Sequence, residues 1–281
     1  MRILLATDGD EPSRHATELL ARLADPARCR IDVLSVNSFE VALREAAQLG
    51  HYSAEAGRAH AERAVAEALT TLRAASLESE GRVVEGDEAT EILAVAEQED
   101  HGLIVVGTAK ERWVDVVVLG SVSGSIVHAS RRPVLVVHTA PPPDRVVRAL
   151  VATDGSPGAA RAVDVFAAFA DASRCEVRAL SVAKPVSLPH GAEGGPERPG
   201  DVEAATRHAE EAAAKLREAG FVVETAVERG RPSTTVLDAA RAGGVDLVVV
   251  GARGLGRFAS KVLGSVSDRV VRKAPATLIG R

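Results

Sequence analysis

Short apolar runs alternate along this chain with longer stretches in which apolar positions recur every three or four residues. RILLAT at 2–7, RIDVLSV at 30–36, GRVVEG at 81–86, GLIVVG at 102–107 and PVLVVH at 133–138 form one series, and RALVAT at 148–153, CEVRALSV at 175–182, FVVETAV at 221–227, DLVVVG at 246–251 and PATLIG at 275–280 form a second. Runs of this length bounded by polar, Gly and Pro positions predict strands, and the amphipathic stretches between them predict helices. In the second series those helices fall at 157–171, 202–220, 231–243 and 265–273, the second of them stopping on Gly220; the first series has a long one over about 53–76. Regular alternation of strand and helix predicts a parallel sheet covered on both faces.

The chain is also written twice. LLATDGD at 4–10 returns as LVATDGS at 150–156, and DVLSV at 32–36 returns as RALSV at 178–182, both offset by 146. DHGLIVVGT at 100–108 returns as GVDLVVVGA at 244–252, and VLGSVS at 118–123 as VLGSVS at 262–267, both offset by 144. Two tandem domains are therefore expected, at 1–139 and 146–281, with the proline-rich APPPDR at 140–145 as linker. Each should be an α/β, doubly wound (Rossmann-like) domain with a five-stranded parallel sheet and four helices. Docking of the copies through their final strands, as an internal pseudo-dimer, would remove two exposed sheet edges, and a further homodimer is compatible with the sequence, which specifies no surface for it.

Composition narrows the classes of function. At 46% hydrophobic and 26% charged residues the chain can bury a core, though of small Ala, Val and Leu side chains. A formal charge of −5 argues against a nucleic-acid binder that works through a broad basic face. No run reaches the roughly 20 apolar residues of a membrane span, and RILLATDGD turns acidic too soon for a secretory leader, so a cytoplasmic location is expected. The two cysteines, Cys29 and Cys175, occupy equivalent places before strands and read as small buried hydrophobes rather than a disulfide. The eight histidines show no metal-ligand spacing, and no serine sits in a G-x-S-x-G turn.

A doubly wound sheet binds ligands outside the carboxyl ends of its strands, where the strand order reverses. The two ATDG turns, the ends of the LSV runs and the glycine-rich stretch GARGLGRFASKVLGSVS at 251–267 should meet there. That stretch is not a Walker A loop, because positions 256–258 read Gly-Arg-Phe, and it is not the dinucleotide fingerprint, because the third glycine position is Ala259. What remains is Gly251-x2-Gly254-x9-Gly264-Ser265, leaving a strand and ending at a helix start. It reads either as an anion cradle of bare backbone N–H groups or as a plain loop with Ser265 as helix cap.

With that spacing the chain resembles the ATP-binding branch of the universal stress protein family, over nearly its whole length and in two copies. The resemblance implies ATP, with Mg²⁺, as ligand. It implies that Ala152, Thr153, Asp154 and Val182 lie against the nucleoside, and that Gly251, Ala252, Arg253, Gly254, Gly256, Arg257, Gly264, Ser265, Val266 and Ser267 form the phosphate cradle. In the first copy the matching positions are Ala6, Thr7, Asp8, Val36, Gly107, Gly120, Ser121, Val122 and Ser123, but Lys110 replaces the middle glycine and the loop runs on as ERWVDVVV. Asp154 also reads as a turn residue, with Ser156 capping the next helix and Pro157 in its first position. The implied role is regulatory, in a stress response, with slow or no hydrolysis, since neither copy offers a general base poised for water. An ATP-using enzyme and a nucleotide-independent scaffold are the alternatives. The Pro/Gly-rich stretch 184–200 would be a lid or partner surface beside the second site, or an idle connection, and Trp113 an exposed anchor or, the favoured reading, a packed residue of the first loop.

Overall fold

A computed structural model describes residues 1–38, 54–108, 119–183, 199–254 and 263–281. Lys110, Trp113, Gly256, Arg257 and all but the last residues of 184–200 lie outside that set. The chain divides into two compact units, Met1–Ala140 and Pro141–Arg281.

In the first unit the elements run β1 (Arg2–Ala6), α1 (Glu11–Leu23), β2 (Arg30–Asn37), α2 (Ala54–Ala74), β3 (Glu78–Glu85), α3 (Glu88–Gln98), β4 (Leu103–Gly107), α4 (Ser121–Ala129) and β5 (Val134–Val137). The second unit repeats them: β6 (Val147–Thr153), α5 (Pro157–Phe169), a 3₁₀ turn (Ala172–Arg174), β7 (Cys175–Ala183), α6 (Pro199–Glu218), β8 (Val223–Arg229), α7 (Pro232–Ala242), β9 (Leu247–Gly251), α8 (Ser265–Val271) and β10 (Ala276–Gly280). All pairings within a unit are parallel, in the order β3-β2-β1-β4-β5 and β8-β7-β6-β9-β10. Among the described residues each unit thus has five strands and four α-helices, the expected doubly wound architecture.

Local chemistry explains some of these boundaries. Ser156 caps α5 by accepting from Ala159 N at 3.3 Å, with Pro157 next, where a missing N–H costs nothing. Gly220, at φ +92°, ends the segment after α6 in the left-handed region that glycine tolerates best. Two strands differ from the pattern. β3 begins at Glu78, before the Gly81 that marked its expected start. Gly81 is instead a mid-strand residue paired with Val33, and a Cβ there would lie 2.4 Å from Val65 Cγ1, so α2 packs onto bare backbone. β8 begins after Phe221, whose buried ring lies 5.3 Å from that of Phe166 rather than continuing the strand.

Both cysteines are buried and free, Cys175 as the first residue of β7. Burial pushes the Cys175 thiol up to about 12, and burial likewise raises Cys29. Since the thiolate is the reactive form, both should resist a disulfide-exchange reagent at pH 8 in the folded protein and react on unfolding. Fast labelling of the native chain would contradict this.

Candidate functional site

The strand order reverses between β6 and β9, and between β1 and β4. In the second unit Ala152 and Thr153 close β6, Asp154 follows, Val182 is the penultimate residue of β7, and Gly251 ends β9. All of these lie at the carboxyl edge of the sheet, as do Ala252, Arg253 and Gly254, which follow β9.

Hydrogen bonds shape the first loop and tie it to the glycine loop. Thr153 Oγ1 accepts from Gly155 N at 3.2 Å, and Asp154 Oδ1 accepts from Ser156 N at 3.1 Å. Gly155 sits at φ +72°, beneath the His208 ring of α6. Ser156, 2% exposed, donates from Oγ to Arg253 O at 3.1 Å, joining residues 97 apart in the chain. Gly254 lies so close to the Asp154 carboxylate that a Cβ would stand 2.3 Å from Oδ2. Its φ is outside the left-handed region, so a side chain at 254 would displace the Asp154 carboxylate without straining the backbone.

The far end of the glycine loop is closed by backbone. Ala252 N donates to Gly280 O at 2.7 Å, and Gly264 N donates to Ala252 O at 2.8 Å. Gly264, not Ser265, is the N-cap of α8; with no side chain to offer, it leaves the helix start without a side-chain cap. Ser265 is exposed at the first helical position and Val266 is half-buried, whereas Ser267 is buried, its Oγ 2.8 Å from Ala252 O and 2.9 Å from Gly264 O. The Ser267 hydroxyl therefore holds the turn. No sequence pattern singles out Arg281, yet the pairing of Gly280 with Gly251 sets it beside the glycine loop. Burial first, and then the nearby Arg253 guanidinium, push the Arg281 guanidinium's pKa down.

The first unit repeats this layout with different chemistry. Ala6 ends β1, Val36 is buried near the end of β2, and Asp8 Oδ1 accepts from Asp10 N at 3.1 Å. Thr7 Oγ1 donates to Ser13 Oγ at 3.1 Å, which donates to Asp10 O at 2.9 Å, so this loop is tied to its own helix. His60 Nε2 lies 2.7 Å from Asp8 O and must be its donor. Gly120 N and Ser123 Oγ both donate to Thr108 Oγ1, at 3.3 and 2.9 Å, doing with a side chain what Ala252 O does in the second unit. Gly107 ends β4, and Ser121 and Val122 open α4, with Gly120 as its N-cap. A groove of about 330 Å³ opens between α1 and α2 over Thr7 and Gly9. In the second unit the His208 ring covers Gly155, and Lys215 bridges to Asp164 at 2.6 Å across the matching helix pair.

At the opposite, amino edge of the first sheet, Asp32, Glu99 and the fully buried His101 bring three ligand-type atoms within 4.8 Å of one another. Arginines already serve them: Arg2 pairs with Asp32 and, at 2.9 Å, with Glu99, while Arg82 pairs with Glu99. Burial raises the Asp32 pKa, but hydrogen bonds from His101 and Arg2 outweigh it and hold the carboxyl below its ordinary value. This cluster is an ion-pair network that fastens β1, β2 and the start of β4.

Two doubly wound units that repeat the same strand order and the same ATDG and VLGSVS segments define a tandem α/β protein. The sequence model of the universal stress protein family matches residues 1–138 and 147–279, and the chain belongs to that family. It is 29% identical to a universal stress protein of Mycobacterium tuberculosis over 312 aligned positions, covering 99% of this chain and 93% of the relative. A single-unit relative from Thermus aquaticus is 34% identical over 139 positions, 46% of this chain and 94% of its own length. The crystal structure of a universal stress protein from Archaeoglobus fulgidus has the same fold, with a TM-score of 0.70, 24% identity and coverage of 100% of this chain and 98% of that one. In the described residues no helix is long and apolar enough to cross a membrane.

Proposed function

We propose that the second unit binds ATP, with Mg²⁺ on its phosphates, and that the chain is a nucleotide-responsive regulator of a stress response rather than a turnover enzyme. The observation that carries this reading is the junction of Asp154, Ser156, Arg253 and Gly254, where the loop after β6 and the loop after β9 meet at the switch point. Ala152, Thr153, Asp154 and Val182 would receive the nucleoside. The phosphates would lie along Gly251 to Gly254, Gly256 and Arg257, and against the uncapped start of α8 at Gly264 to Ser267.

The residues suit such a ligand. Gly254 keeps the cradle free of a Cβ, the start of α8 has no side-chain cap, and Arg253 and Arg281 supply positive charge. ATP would bring a triphosphate whose charge these groups neutralise, and Asp154, oriented by the Ser156 N–H, would accept hydrogen bonds from the sugar. In the first unit Ala6, Thr7, Asp8, Val36, Gly107 and Gly120 to Ser123 are the matching set. Asp10 stands there in place of Ser156 and Lys110 in place of Gly254, so ATP is assigned to the second unit.

Acid extraction of the purified full chain, followed by chromatography of the extract, should release ATP. A protein that retains no adenine nucleotide and binds none when ATP and Mg²⁺ are added would overturn the reading.

A further inference from the structure

The two units differ at the residue that follows the ATDG turn. Ser156 in the second is Asp10 in the first, at the same offset of 146 as the surrounding ATDG turns. Each residue is the N-cap of the helix that follows, but only Ser156 has a proton to give. Its hydroxyl accepts from Ala159 N at 3.3 Å and donates to Arg253 O at 3.1 Å. A carboxylate can do the first and not the second.

The bond to Arg253 O is placed where it matters. Arg253 is flanked by Ala252, whose N–H and C=O are both held by backbone, at Gly280 O and Gly264 N, and by Gly254, which abuts the Asp154 carboxylate. Asp154 is fixed in turn by the Ser156 N–H. One buried serine thus sets the distance between the carboxylate on the first loop and the backbone of the glycine loop. Gly158 adds a second close approach, since a Cβ on it would lie 3.0 Å from Arg253 O. In the first unit the comparable hydroxyl chain, Thr7 to Ser13 to Asp10 O, ends within the loop and helix it starts from.

We infer that Ser156 is a positioning residue that presets the second unit's cradle by locking the glycine loop to the Asp154 loop, and that Asp10 leaves the first unit without this lock. The expected loss in affinity rests on the ATP reading above; the lock itself does not.

Amide hydrogen exchange on the ligand-free full chain tests the lock. Ser156→Asp reproduces the first unit's residue, whose side chain makes no cap bond there, and sets an acceptor against Arg253 O, so exchange at Ala252 and Gly264 should speed up several-fold while amides of the first unit exchange as before. Ser156→Thr should exchange like the wild type. Unchanged exchange in Ser156→Asp overturns the lock whether or not any nucleotide binds.

Titration with ATP and with adenosine tests the consequence. Ser156→Ala should weaken ATP about tenfold, the effect of one net hydrogen bond, and adenosine less than about twofold, because the lock aligns the phosphate loop with the nucleoside loop. Ser156→Thr should restore ATP binding. Equal losses for both ligands, or no loss, would overturn the positioning role. A wild-type chain that binds neither ligand overturns the ATP reading and leaves the exchange result to decide the lock.

Discussion

Replacing Gly251 by alanine is expected to destabilise the second unit by about 2 to 3 kcal/mol, the upper part of the range for overpacking a well-filled interior. The new Cβ would lie 2.5 Å from Ala159 N, 2.6 Å from Gly158 C and 3.1 Å from Ala159 Cα. All three are backbone atoms of the first turn of α5, so the helix itself must move, and no side-chain rotation relieves the clash. The same crowding recurs in the first unit, where a Cβ on Gly107 would stand 2.3 Å from both C and O of Pro12. The first glycine of the motif is therefore required by helix packing whatever the loop binds. Urea denaturation of the full chain would measure the effect, and a change below about 0.5 kcal/mol would contradict it, since that is the range of an ordinary surface substitution.

Gly254→Ala should behave in the opposite way. Gly254 is exposed and free of left-handed strain, and among the described residues its added Cβ would meet the Asp154 carboxylate, with Oδ2 at 2.3 Å and Cγ at 3.5 Å. A carboxylate at the end of a side chain can swing aside, so folding should change by no more than about 0.5 kcal/mol. Moving it takes away the acceptor proposed for the nucleoside. ATP affinity should fall about tenfold to a hundredfold, corresponding to the loss of a hydrogen bond to a charged group. Calorimetric titration would read this directly, and an unchanged affinity would remove Asp154 and Gly254 from the site. Comparing the two variants separates a glycine needed for the fold from a glycine needed for the ligand, although both belong to one spacing pattern.

Much of this architecture is legible in the amino-acid sequence because it is encoded locally. Apolar run length, the repeated ATDG and VLGSVS segments and the Ser156-Pro157 helix start all act within a few residues. They point to two doubly wound units and to the edge where the loops meet. What is not legible depends on groups distant in the chain. The Ser156 to Arg253 bond spans 97 residues. The approach of α5 to Gly251 depends on how a helix lies on a sheet, and the position of Arg281 depends on the register of β10 against β9. Gly81 misleads as a strand boundary because a glycine that admits a neighbouring helix looks, in sequence, like one that ends a strand. Ser265 misleads as a cap because serine usually takes that role, whereas here Gly264 has it and Ser267 turns inward.

The difference between the units bears on how many ligands one chain holds. The second has Ser156 locked to Arg253 and a bare Gly254 beside Asp154; the first has Asp10, Lys110 and a loop tied to its own helix. Counting nucleotide per chain on the purified full-length protein, saturated with ATP and Mg²⁺ and then freed of unbound ligand, is the most direct measurement. Close to one ATP per chain is expected, lost in Gly254→Ala. No bound ATP, or two per chain at sites of equal affinity, would contradict it.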